Sequence, residues 1–253
     1  MMTREEALYR FALRMGDNAL VLGHRISEWC GHAPALEEDI AQTNIALDLI
    51  GQARNYLTYA GEVEGKGRKE DDLAYLRDSR EYINALITEQ PKGDFAHTIV
   101  RSFLWDAFHR PLLNALANSS DERLKGIAEK AVKEVAYHLR HSSEWLIRFG
   151  DGTEESHRRA QTALDELWRF TGELFEADEA EQILAKEGVI PPLESLKAEW
   201  NATVDRVLAE ATLKRPSEGW MASGGKKGVH TEHLSLMLAE MQTLQRSYPG
   251  VEW

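Results

Sequence analysis

The sequence predicts an all-α fold, a helical bundle. Three observations carry this: apolar residues recur at helical spacing almost throughout, period-two alternation is absent, and capping residues stand ahead of several periodic stretches. Thr3 and Glu6 have the spacing of a capping box for a first helix whose apolar stripe is Leu8, Phe11, Met15, Leu22, Ile26 and Trp29. Gly31 to Pro34 then interrupt the pattern. A second helix is expected from Ile40 to Gly61, with Asp48 at its centre among Ile45, Ala46, Leu47, Leu49 and Ile50. A helix apolar on nearly every side reads as a buried one. Asp48 must then be paired, hydrogen-bonded, protonated or bound to a metal, on a polar stripe with Asn44 and Gln52.

A charged, glycine-rich loop over Gly61 to Asp72 precedes a third helix expected from Leu73 to Thr88. The fourth spans Phe95 to Leu116 and contains Pro111, which removes a hydrogen bond to the Ala107 carbonyl, so a kink or break is expected there. Ser119 and Glu122 read as a capping box for a fifth, running to Phe149. A sixth covers Glu155 to Phe175, and a short acidic helix follows to Lys186. Another begins at Pro191 and Pro192 and reaches Leu213. Residues 214–230 form the longest irregular stretch, after which Thr231 caps a last helix through Arg246. No internal repeat and no linker divides the chain, so residues 1–253 are expected to form one domain.

Composition narrows the function classes. A formal charge of −12 argues against nucleic acid and anionic membranes as partners. No apolar run approaches the roughly 18 residues that span a membrane, and the N-terminal segment reads as a capped helix start, not as a signal segment. Cys30 is the only cysteine, which excludes an internal disulfide and fits a reducing cytoplasm.

A four-helix bundle can hold two metal ions when two helices each donate a carboxylate and two others each donate Glu-x-x-His. Such carboxylates lie roughly 30 residues upstream of their partner pairs, and that spacing can be tested here. Asp48 falls at a pair position, with Gly51 where the histidine should be. Asn18 falls at the single-acid position upstream of it. Asp106 occupies the second single-acid position and His138 the last histidine position, but Val135 stands where the second glutamate belongs. Asp48, Asp106 and His138 thus keep potential ligands, and Glu134 and His109 could substitute from neighbouring turns. The bland alternative is a buried hydrogen-bonded network around Asp48. His138 with His141 could form a metal pair or simply a partly exposed helix face. His230, Glu232 and His233 crowd a helix start, where Glu232 complements the dipole. Gly224 to Gly228 make a basic loop in an acidic chain, so Lys226 and Lys227 are candidates for an anion or partner contact, with an ordinary solvated loop as the alternative.

The segments GDNALVLGHRISEWCGHAPALEEDIA, LDLIGQARNYL, KEVAYHLRHSSEWL, LWRFTGELFEADE and GGKKGVHTEHL resemble the C subunits of phenylacetyl-CoA 1,2-epoxidases, from about Arg14 to Trp253. The resemblance implies a ferritin-like four-helix bundle core with additional C-terminal helices. It implies a non-catalytic structural subunit with no cofactor of its own, paired with a homologous A subunit that carries a di-iron centre. A small B subunit and a reductase with flavin and iron–sulfur groups, fed by NADPH, complete such a complex. Asn18, Asp48, Gly51, Asp106, Val135 and His138 would then be degenerate metal-site positions, and a coenzyme A contact through Lys226 and Lys227 becomes an expectation. The rival reading is a ferritin-like metal oxidoreductase active in its own right through Asp48, Asp106, Glu134, His138 and His109.

Overall fold

The computed structural model describes residues 2–217 and 219–251, and among them the chain is helical with no strand. Four long helices dominate: α1 (Arg4–Ser27), α2 (Leu36–Glu64), α5 (Phe95–Leu116) and α6 (Glu122–Gly150). α1 lies along α2 and α5 along α6, each pair joined by a short connection that makes it a hairpin. Phe11 and Met15 of α1 meet Trp105, Phe108 and Leu112 of α5 around one small cavity, and α2 meets α6 on the other side. A long crossover between α2 and α5 contains the short helices α3 (Glu70–Tyr75) and α4 (Leu86–Glu89). Two hairpins joined by one long crossover are the ferritin-like arrangement. The later helices α7 (Glu154–Leu167), α8 (Glu179–Lys186), α9 (Lys197–Glu210) and α10 (Glu232–Ser247) pack around this core.

The helix starts show which sequence signals acted. Thr3 Oγ1 accepts from the Glu6 amide at 3.1 Å while Glu6 Oε2 accepts from the Thr3 amide at 2.7 Å, a complete capping box. Ser119 does not cap α6: its hydroxyl donates to the Val189 carbonyl at 2.6 Å. Asp121 caps instead, accepting from the amides of Arg123 and Leu124. α5 continues through Pro111 without a break, with Phe103, Phe108, Leu112, Leu113 and Leu116 around it packed in the core.

Three expected helices are shorter than their apolar patterns, among them the one expected from Pro191 to Leu213, which is a 3₁₀ turn at Leu193–Leu196 followed by α9. The stretch expected as one helix from Leu73 to Thr88 is α3, a 3₁₀ turn at Ser79–Glu81, extended chain at 82–85, and α4. The cause lies on α1. Asp17 is fully buried; its carboxylate pairs with Arg77 and accepts from the Ile83 amide at 2.9 Å. Asn18 Oδ1 accepts from the Ala85 amide at 2.7 Å. These bonds draw the crossover open, and Arg77 turns back to the Leu73 and Glu81 carbonyls. Likewise α7 ends at Leu167, and the chain to Phe175 is two 3₁₀ turns around Thr171, whose hydroxyl donates to the Trp168 carbonyl.

The largest departure concerns which helix is central. α1 is buried on nearly every side from Phe11 to Val21, whereas α2 turns Leu36, Ile40 and Leu47 outward at 73, 54 and 62% exposure. The apolar wrap of α2 reflects an uncovered outer face, not burial on all sides. Among the described residues, no helix is long and apolar enough to cross a membrane.

Candidate functional site

Asp48 is therefore not sealed in the core. Its side chain is 37% exposed, and Oδ2 accepts from His138 Nε2 at 3.0 Å across the α2–α6 contact. One turn along, Gln52 Nε2 donates to Glu134 Oε2 at 3.0 Å. Asn44 faces solvent, so the expected polar stripe is wet at one end and bridged to α6 at the other. His141 reaches Glu38 rather than a common point with His138, through a 2.8 Å contact from Nε2 to Oε2.

Deeper in the bundle, Asp106 is buried and accepts from the Ser142 hydroxyl at 3.0 Å. Burial pushes its carboxyl up to about 7, against the opposing pull of His138 and the Ser142 hydrogen bond. His109 sits one turn further along α5, and burial together with the nearby His138 pushes its imidazole down to about 3, so it is neutral. Nδ1 of His109 and Nδ1 of His138 have no hydrogen-bond partner among the described residues.

The remaining positions oppose metal binding. Asn18 is occupied with the crossover amide of Ala85, Gly51 offers no side chain, and Val135 is buried in the core without a donor atom. Among the described residues, no three His, Cys, Asp or Glu side chains group so that they could hold a metal ion. A di-iron centre needs about six ligands with several anionic members. The donor set present does not fit that group: Asp48 and His138 satisfy each other, Glu134 serves Gln52, and Asp106 is tied to Ser142.

The basic loop is more ordered than its composition suggests. Glu173, buried, accepts from the amides of Leu86, Gly224 and Lys226 and so ties the loop to the crossover. A Cβ at position 225 would stand 2.3 Å from the Asn84 carbonyl oxygen, so glycine is required there. Lys226 is not available to an external anion. Its ammonium is buried, donating to the Glu176 carbonyl at 2.6 Å and to Glu181 at 3.2 Å, and Glu181 also pairs with Arg14 at 2.7 Å. Burial holds the Lys226 ammonium below its ordinary range, with Glu181 opposing. Lys227 is exposed. His230 does not gather a metal with Glu232 and His233; Nδ1 contacts Glu89 Oε2 at 2.7 Å and Nε2 the Tyr82 carbonyl at 2.8 Å.

The family model described as "Phenylacetic acid catabolic protein" matches residues 1–253. The chain belongs to the phenylacetic acid catabolic protein family. A curated relative in Escherichia coli (strain K12), the C subunit of 1,2-phenylacetyl-CoA epoxidase, is 52% identical over 246 residues, which cover 97% of this chain and 99% of the relative.

The ion pairs that do most of the internal tying are Asp17 with Arg77, Arg14 with Glu181, and Glu89 with His230, and none of these pairings belongs to a sequence motif. The available signal was charge inside an apolar run, as at Arg14 and Asp17 between Phe11 and Leu22. The buried Asp106 gives a pH test. A carboxyl raised in the folded state stabilises fully below the unfolded value of 3.8, and that contribution is lost as pH rises towards about 7. The loss is roughly 4 kcal/mol at most. Asp106→Asn keeps an acceptor for Ser142 and removes the titration. Urea unfolding of the variant should show a flatter decline between about pH 4 and pH 7 than the parent chain. Identical pH profiles would refute the assignment.

Proposed function

We propose that this chain is the non-catalytic structural subunit of a multicomponent oxygenase that epoxidises the aromatic ring of phenylacetyl-CoA. Its partner in this reading is a homologous A subunit holding the di-iron centre. A small B subunit and a reductase, carrying electrons from NADPH through flavin and iron–sulfur groups, serve the same complex. The near-full-length similarity to the C subunit of an epoxidase supports the assignment to such an enzyme. The observation that carries the non-catalytic role is positional: Asn18, Gly51 and Val135 stand where glutamate, histidine and glutamate would bind metal, and Asn18 is committed to the Ala85 amide. Within this reading the chain contributes surface. The outward face of α2, with Leu36, Ile40 and Leu47 and neighbouring Tyr137 of α6 also exposed, is the seat for the A subunit. An obligate interface of this kind buries more than about 2,000 Å².

Iron loading tests the role. The purified chain, reconstituted anaerobically with ferrous iron and desalted, should retain far less than one iron per chain, whereas the A subunit treated in parallel should retain its metal. Two firmly held irons, lost in Asp106→Asn or His138→Ala, would replace the structural reading with that of an independent metal oxidoreductase.

A further inference from the structure

The small cavity between α1 and α5 has a wall with hydrogen bonds to give and few to take. Its volume is about 20 Å³, enough for one water-sized or halide-sized occupant, and every side chain around it is buried. Nε of Arg14 and Nε1 of Trp105 are sealed from solvent and have no hydrogen-bond partner among the described residues. One belongs to α1 and the other to α5, and both side chains line the cavity. Asn18, also on the wall, spends Oδ1 on the Ala85 amide, and its NH2 group makes no hydrogen bond among the described residues. A buried donor left unpaired is costly, so this wall calls for an acceptor.

The charged acceptor on the wall is already taken. Glu181 is bound by Arg14, by Lys226 and by the Asp178 amide. A water molecule would meet the waiting donors but leave its own hydrogens without partners. An anion accepts from several donors and has no hydrogen to place. Charge favours the anion too. The linked ion pairs join three cations, Arg10, Arg14 and Lys226, to two carboxylates, Asp178 and Glu181. Glu173, the next carboxylate, is turned to the backbone amides of Leu86, Gly224 and Lys226.

We propose that this cavity holds one chloride-sized monovalent anion, with the N–H groups of Arg14 Nε and Trp105 Nε1 as its contacts. Bound there, the ion joins α1 to α5 beside the network that Arg14 and Lys226 form with Glu181 of α8. Such a site serves the chain's own stability and does not depend on the epoxidase reading.

Urea unfolding of the full chain reads the site, with chloride replacing gluconate at constant ionic strength and fixed protein concentration. A ligand held by the folded chain alone lowers the unfolding constant, and well above its Kd the fall is about tenfold for each tenfold rise in ligand. The parent chain should approach this one-site slope. Trp105→Phe keeps a ring in the core but removes the N–H, and should weaken chloride by about tenfold or more, flattening the response over the same range. Trp200→Phe is the control: its indole N–H donates to the Leu104 carbonyl at 3.1 Å, and it does not line the cavity. Its chloride response should match the parent. A parent chain indifferent to chloride, an undiminished response in Trp105→Phe, or an equal loss in Trp200→Phe would overturn the proposal. Crystals of the parent chain grown with bromide give a second measurement that needs no variant. An anomalous peak beside Trp105 Nε1 and Arg14 Nε is expected, and a water there with no bromide would overturn the anion assignment.

Discussion

Changing Ile40 and Leu47 together to glutamate is expected to abolish stable association with the A subunit while leaving the chain folded. Both side chains are more than half exposed, so the isolated fold loses almost no buried apolar area when they change. In the assembled complex the same positions would carry two uncompensated charges into an apolar contact. Central interface residues each contribute about 2 kcal/mol or more, so the double change should lower the association constant by roughly 10³-fold. Co-expression followed by size-exclusion chromatography with mass measurement reads the result, and far-UV circular dichroism confirms the fold. The parent chain alone should self-associate through this face, and the variant should be the better-behaved monomer. A variant that still co-elutes with the A subunit at parent yield would place the interface elsewhere.

The second large effect is on stability. Asp17→Ala should cost about 3 to 5 kcal/mol, because it leaves the Arg77 guanidinium buried without its counter-charge. It also strips an acceptor from the Ile83 amide, and a buried donor left unpaired adds its own penalty. Asp17→Asn should retain the amide bond but not the charge, and fall between Asp17→Ala and the parent. Against a typical total of about 5 to 15 kcal/mol, the alanine variant should unfold at markedly lower urea concentration. The exposed pair Arg206–Glu210 is the control: removing it should cost less than about 1 kcal/mol. If Asp17→Ala lies within that same margin, Asp17 is not the anchor of the crossover.

The parts of this architecture legible in the sequence are those written in local chemistry. The Thr3–Glu6 box, the start and end of α5, and the long period of α6 depend on residues within a few turns of one another. What could not be read is written across distance. The stretch after Leu73 has a helical pattern, yet Asp17 and Asn18 unwind it from 66 and 67 positions away. Lys226 looks like a free surface cation until Glu181, 45 residues earlier, is placed beside it. Leu47 misled in the opposite direction, since an exposed apolar face has the same composition as a core face. The metal-site spacing was readable because helix geometry fixes which residues share a face. The use made of each position was not readable, because Ser142, Gln52 and the Ala85 amide belong to no motif.

The bond from the Ala85 amide to Asn18 constrains what position 18 can become. A Cβ added at Gly51 would meet nothing within 4 Å, so the backbone there leaves space for a side chain to begin. Position 18 has no such freedom. A glutamate turned towards a metal would abandon the backbone group that Asn18 now holds, and the crossover would have to find another fastening first. Building a metal ligand at position 18 would therefore first require another fastening for the Ala85 amide, because without one the change only weakens the fold. A residue committed to architecture acts as a ratchet: in the subunit reading proposed above, a division of labour between a reacting subunit and a supporting one would be hard to reverse.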